Sequence, residues 1–235
     1  MPGAKPERGR GTPPSESVVA LISGGIDSGV MIARSLRQGC AVHPLYVRQG
    51  ALWEDAEEAG LNAFLNSLDP SAGRLAPLEV LRLDWPSGFL HHWAVDGAAP
   101  PPDAHSPDET VYLPGRNLAL LTQAALLGQS VGASVLRIGL LAQNPFADSQ
   151  PDFFQAFERA FALATLFAVR VEAPLSDLSK EQVIREAAAL GLPLEHTFSC
   201  LRPLNGRHCG RCNKCAERQR GFARAGVPDP TAYDD

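Results

Sequence analysis

The chain has 235 residues, 45% hydrophobic and 20% charged, which suits one large packed α/β domain with at most a small appendage and excludes a disordered chain. The formal net charge of −5 excludes a generally basic nucleic-acid binder. No apolar run approaches the ~20 residues that span a bilayer.

Residues 1–16 are rich in Pro, Gly and charge and lack the apolar centre of a secretory signal, so a disordered tail is expected. A reducing, cytoplasmic setting is the default, with the five cysteines as ligands or buried thiols. The apolar run 18–22 predicts a buried strand, and 30–36 predicts a helix. Between them lies Ser23-Gly24-Gly25-Ile26-Asp27-Ser28. A strand entering a glycine turn and leaving as a helix gathers free backbone N–H groups and the positive helix end at one spot, which binds phosphate. Gly24 and Gly25 permit the tight turn, the serines add hydroxyl donors, and Asp27 orients a metal ion or a nucleotide group. The triphosphatase pattern G-x-x-x-x-G-K-[ST] is absent.

A second strand is predicted over 41–47 and a helix over 54–68, with Leu61, Phe64, Leu65 and Leu68 on one face. Residues 78–85 alternate like a third strand. The Pro-rich stretch 86–110 carries His91, His92 and His105 and reads as irregular, either a substrate lid or a mobile insertion. Residues 118–131 form an apolar core helix, 134–141 a fourth strand, 152–167 a helix and 169–175 a fifth strand. Ser179 with Gln182 predicts a capping box opening the next helix. The pattern predicts a doubly wound, five-stranded parallel α/β sheet over 17–195, with its ligand beyond the carboxyl ends of the strands.

Cys200, Cys209, Cys212 and Cys215 follow as C-x8-C-x2-C-x2-C, matching a closed tetrahedral Zn²⁺ site of structural type in a small segment over 196–235. An iron–sulfur cluster is the rival. Cys40 reads as a small core residue. Arg202, Arg207, Arg211, Lys214, Arg218, Arg220 and Arg224 surround the cluster against Glu217. They read first as charge compensation for the thiolates, and second as a patch for phosphates.

The Ser23–Ser28 loop resembles the SGGxDS loop of the PP-loop ATP pyrophosphatases, a Rossmann-like (HUP) superfamily that cleaves ATP to AMP and pyrophosphate. Further stretches resemble the QueC/ExsB family of 7-cyano-7-deazaguanine (preQ0) synthases: Tyr112-Leu113-Pro114-Gly115-Arg116-Asn117, Phe146-Ala147-Asp148-Ser149-Gln150-Pro151-Asp152-Phe153, Leu178-Ser179-Lys180-Glu181, and the cysteine tail. The resemblance covers nearly the whole chain from residue 18 on. It implies adenylation of 7-carboxy-7-deazaguanine, attack by ammonia to an amide, a second adenylation, and loss of AMP to the nitrile. It implies Mg²⁺ with ATP. Asp27, Arg116 and Lys180 are then the catalytic candidates. Ser23, Gly24, Gly25, Asp27, Ser28, Tyr46 and Val47 are assigned to the nucleotide, and Arg116, Asn117, Asp148 and Asp152 to the acceptor.

The chain departs from the family pattern over 48–54 and at Ser149 and Gln150, where the acceptor is expected. A divergent ligase acting on another carboxylate, or conjugating a deazaguanine, therefore stands beside the preQ0 synthase. A tRNA-modifying PP-loop enzyme and a non-catalytic nucleotide-binding module are further alternatives. The net charge speaks against nucleic acid, and the oligomeric state stays open, a homodimer among the options.

Overall fold

Side chains alternate along the central strand β1 (Ser17–Leu21): Val18 and Ala20 enter one apolar core, Val19 and Leu21 the other. Such two-sided burial belongs to a parallel sheet covered on both faces. The computed structural model describes residues 16–68, 74–86, 92–96, 99–142 and 144–234. The expected tail over 1–16 lies outside them except for Glu16, which pairs with Arg170.

From β1 the chain enters α1 (Ile26–Arg37), β2 (Ala41–Arg48) and α2 (Glu54–Ser67). Next come β3 (Arg74–Leu75), β4 (Glu79–Arg82), α3 (Trp93–Asp96) and α4 (Arg116–Val131). Then follow β5 (Val135–Ile138), α5 (Pro151–Thr165), β6 (Arg170–Glu172), α6 (Lys180–Ala189) and α7 (Asn213–Ala225). Among the described residues these strands all pair in parallel, in the order β3-β2-β1-β5-β6, with β4 also on β2. The sheet thus has six strands in five positions. The edge is broken because Ala41 pairs with Arg74 but Leu45 with Glu79, so the register slips by one residue around Pro77. Proline has no N–H for the ladder and marks such edge bulges.

The chain steps outward from β1 to β2 and the edge, then returns to the other side of β1 at β5. The order reverses between β1 and β5, and the crevice above their carboxyl ends is where such sheets hold ligands. Helices α1, α2, α6 and α7 cover one face and α4 and α5 the other. Each fully buried Leu, Ile, Val or Met contributes about 1.5–3 kcal/mol. The capping box of α6 is formed: Gln182 N–H donates to Ser179 Oγ, and Ser179 N–H to Gln182 Oε1 at 2.8 Å.

The expected irregular stretch 86–110 is partly ordered by long-range contacts. Trp93 on α3 stacks on Trp53, with centroids 5.9 Å apart, and its indole N–H donates to the Thr110 carbonyl. Beyond it, Asp103 bridges to Cys212, the Asn213 N–H donates to the Pro102 carbonyl at 2.9 Å, and Asn213 Nδ2 donates to the Ser106 carbonyl at 2.7 Å. Residues 99–106 are therefore a strap on the C-terminal cysteine segment. His91 lies outside the described residues, His92 packs on Trp93, and His105 is exposed.

Candidate active site

Gly25 starts α1 with extended backbone and no side-chain cap, so the first-turn N–H groups of α1 are left for a ligand. Gly24 has φ +71°, and a Cβ there would sit 3.2 Å from the Glu57 carbonyl and 3.3 Å from Leu61 Cβ. A side chain is excluded both by conformation and by the close approach of α2. The Ser28 hydroxyl donates back to the Gly25 carbonyl at 2.9 Å and closes the turn. The Gly24 carbonyl accepts the Phe198 N–H at 2.8 Å, which ties the loop to the cysteine segment.

Asp27 points from α1 to Lys180 at the first turn of α6. Lys180 Nζ lies 2.9 Å from both carboxylate oxygens and 3.9 Å from Glu217. Burial alone would lower the lysine pKa, but the Asp27 and Glu217 carboxylates outweigh it and hold it raised. Burial likewise opposes the Glu217 charge, yet Lys180 and Lys214 bring its pKa below the usual value. Lys180 is therefore no solvated first-turn lysine.

Around this loop the strand ends open into connected clefts. One of about 220 Å³ is lined by Ser23, Gly25, Asp27, Ser28, Tyr46, Val47, Arg116, Asn117, Gly139 and Asp148. A second, of about 200 Å³, runs from Ser23, Gly25 and Asp27 past Glu57, Arg116 and Lys180 to Lys214, Glu217 and Arg218. An apolar chamber of about 210 Å³ lies beyond Arg116, walled by Ala51, Trp53, Trp93, Val111, Leu113, Phe146 and Leu201. Arg116 borders all three, and its Nε donates to Gln49 Oε1 at 3.1 Å. Tyr112 stacks on Phe146 beside it, with centroids 4.8 Å apart.

The structure thus brings Ser23, Gly25, Asp27, Ser28, Tyr46, Val47, Arg116 and Lys180 around one crevice, with Gly24 shaping the turn beneath. Tyr46 is buried, and its phenol donates to Glu57 Oε2 at 2.7 Å. Asn117 and Asp148 hold one another: the Asn117 N–H donates to Asp148 Oδ2 at 3.0 Å, so Asp148 caps α4. Asp152 departs from the expected site. It is exposed on the first turn of α5, where its charge suits the helix end, and lines none of these clefts. Gln150 turns onto the Phe146 and Asn144 carbonyls, away from the phosphate loop, while the Ser149 hydroxyl accepts from Asn117 Nδ2.

Sequence reading missed Glu57, Trp53 and Glu217. Each sits in the crevice only through contacts with distant segments. Of the basic residues near the cysteines, Arg218 is buried, donating to Thr231 and the Leu194 carbonyl, and Lys214 pairs with Glu217 at 2.6 Å. Both line the second cleft.

The sulfurs of Cys200, Cys209, Cys212 and Cys215 all lie within 4.8 Å of one another, and all four residues are buried. The Arg202 and Cys209 N–H groups donate to Cys200 Sγ at 3.3 Å, and the Leu201 N–H to Cys212 Sγ at 3.5 Å. Hydrogen bonds from Cys200 and Cys215 lower the Cys212 pKa, and the same bonds raise theirs. The group fits a metal held by four thiolates. His208 packs on Phe198, and burial lowers its pKa to about 4, which leaves its Nε2 to accept the Ser199 N–H.

A doubly wound parallel sheet with an uncapped glycine loop at its switch point, beside a buried four-cysteine group, defines a phosphate-loop α/β protein of the PP-loop type. The chain belongs to the QueC family, described as queuosine biosynthesis protein QueC, whose profile matches residues 17–226. It is 34% identical to a 7-cyano-7-deazaguanine synthase of Anaeromyxobacter sp. (strain Fw109-5), over 94% of this chain and 97% of that protein. It is 36% identical to a 7-cyano-7-deazaguanine synthase of Xanthomonas oryzae pv. oryzae (strain PXO99A), over 93% and 98%. The U34-tRNA thiolase NcsA of Methanococcus maripaludis, solved with its [4Fe-4S] cluster, shares the fold at TM-score 0.50 and 13% identity, covering 89% of this chain and 67% of that one. Among the described residues no helix is long and apolar enough to cross a membrane.

Proposed function

We propose that this protein is an ATP-dependent carbon–nitrogen ligase that converts 7-carboxy-7-deazaguanine and ammonia to 7-cyano-7-deazaguanine. The observation that carries the reading is Arg116. It borders both the phosphate loop and an aromatic-walled chamber, so a carboxylate on a flat heterocycle can face a nucleotide's α-phosphorus. The relatives named 7-cyano-7-deazaguanine synthase supply the substrate class.

In this reading the loop N–H groups and Ser23 hold the departing pyrophosphate. Lys180, released in part from Asp27, follows the charge that develops on it. The acceptor carboxylate oxygen bonds to the α-phosphorus as the α–β bond breaks. Ammonia then displaces AMP to give the amide. A second ATP activates the amide oxygen, and loss of AMP leaves the nitrile. Mg²⁺ bound with ATP would neutralise phosphate charge, with Asp27 as the carboxylate at hand. The four cysteines would hold Zn²⁺ in a structural role, since sulfurs this close suit one tetrahedral ion. Their reduced thiols fit a cytoplasmic setting.

The test is incubation with 7-carboxy-7-deazaguanine, Mg²⁺-ATP and ammonium. Nitrile with two AMP per product is expected, and no AMP release would overturn the reading. A second reading, a different flat carboxylate, draws on Trp53 and Trp93 in the chamber, and AMP release against a carboxylate panel separates the two.

A further inference from the structure

Four carboxylates line the two clefts that meet at the phosphate loop, and three have fixed partners. Asp27 is bound by Lys180, Glu217 by Lys214, and Asp148 by the backbone and side chain of Asn117. The fourth, Glu57, accepts from a neutral donor, the Tyr46 phenol at 2.7 Å. It borders both clefts, beside Gly25 and Arg116. Its height is set by the loop, because its carbonyl lies 3.2 Å from where a Gly24 Cβ would be.

We infer that Glu57 is the general base of the ligase reaction, taking a proton from the nitrogen that attacks the adenylate and again from the imidate nitrogen as AMP leaves. The inference rests on the ligase reading above. In the first use, the ammonia lone pair forms the C–N bond, AMP departs with the C–O pair, and the proton lost from nitrogen goes to the Glu57 carboxylate. In the second, the N–H pair becomes the third C–N bond as the C–O bond to AMP breaks, and the proton goes to the same carboxylate. The other carboxylates in the clefts are already engaged, by a lysine or by the helix end they cap.

The electrostatics agree with that duty. Burial raises the Glu57 pKa to about 7, against the Tyr46 hydrogen bond and the Arg116 charge, which lower it, while Glu54 on the same helix raises it. Asp27, Lys180 and Lys214 face the same cleft from the loop, α6 and α7. A base near neutrality both accepts a proton from nitrogen and releases it to solvent between turnovers.

The experiment separates the half-reactions of Glu57→Gln. Exchange of labelled pyrophosphate into ATP, dependent on the acceptor carboxylate, reports adenylation before ammonia enters. Amide and nitrile formation report the proton transfers. Product formation is expected to fall on the order of 100-fold or more, far beyond any drop in exchange. The low-pH limb of the wild-type rate, centred near 7, should vanish in Glu57→Gln. In Tyr46→Phe it should move to higher pH, since losing the phenol donor disfavours the carboxylate. Equal loss of exchange and product, or an unchanged pH limb in Glu57→Gln, would overturn the assignment. Wild-type protein lacking exchange with every carboxylate would instead strike the ligase reading, and the assignment with it.

Discussion

Replacing Lys180 with methionine removes one charge from the centre of the site and keeps most of the side chain's stem. Lys180 Nζ sits 2.9 Å from both Asp27 oxygens, and the two side chains are 22% and 24% exposed. Removing one partner of a fully buried pair costs about 3–5 kcal/mol, and an exposed pair is worth about 0.2–1 kcal/mol. At roughly a quarter exposure the expected loss is about 2 kcal/mol, because Asp27 and Glu217 are left facing one another. In a chain of this length that lowers Tm by about 4–8 °C. Asp27→Asn added to Lys180→Met should recover more than half of the loss, while acceptor-dependent AMP release stays absent. Thermal melts and an AMP assay read the two quantities separately. The Lys180 pKa is raised above 10.5, so its contribution is complete below that value and fades as pH rises through the higher folded value. The Glu217 pKa is lowered below 4.5, so its contribution is present above 4.5 and fades as pH falls through the lower folded value. The wild-type advantage should therefore hold across neutral pH and shrink at both extremes. A double variant no more stable than Lys180→Met would refute the coupling.

Gly29→Ala should destabilise by about 1–3 kcal/mol despite the ~1 kcal/mol helix preference for alanine, because its Cβ would lie 2.8 Å from Phe64 Cζ. Adding Phe64→Leu should restore part of that in chemical denaturation, and no restoration would place the clash elsewhere. Arg116→Lys should raise the acceptor KM about 10- to 100-fold, since one ammonium cannot replace the guanidinium fork. An unchanged acceptor KM with a raised ATP KM would reassign it. Metal analysis should find about one zinc per chain and a loss of it in Cys212→Ser, whereas iron with broad visible absorbance would identify a cluster instead.

The phosphate loop was legible because strand, glycine turn and helix are contiguous, so six neighbouring residues carry the whole geometry. The cysteine group was legible for the same reason, its ligands lying within one short segment. Lys180 could be placed by resemblance, but its partner could not, since Asp27 is 153 residues away in sequence. Glu57 was hidden among Glu54, Asp55 and Glu58, an acidic first turn that reads as a solvated helix end. Only Tyr46, on the neighbouring strand, sets it apart. The proline-rich stretch before residue 110 has no periodicity of its own. Its order comes from Asn213 and Trp53, which no local rule connects to it. Asp152 was assigned with Asp148 through the family resemblance of one contiguous segment, but Pro151 starts α5 between them and Asp152 lies exposed on its first turn.

The cysteine segment walls the candidate site rather than lying beside it. Its Phe198 N–H holds the Gly24 carbonyl at 2.8 Å, and its His196 carbonyl packs so close to α2 that a Cβ at Gly60 would lie 2.8 Å away. Its Glu217 steadies Lys180, and its Asn213 latches residues 102 and 106. The sheet itself offers the uncapped loop at the start of α1. The second cleft gains its far wall from Phe198, Ser199, Lys214 and Glu217, and the chamber beyond Arg116 gains Leu201. An acyl-adenylate left in water hydrolyses, so a ligase of this chemistry needs those walls in place before ATP is split. A metal held by the four cysteines would supply that order where a short, loop-rich segment has only a small core cluster of its own.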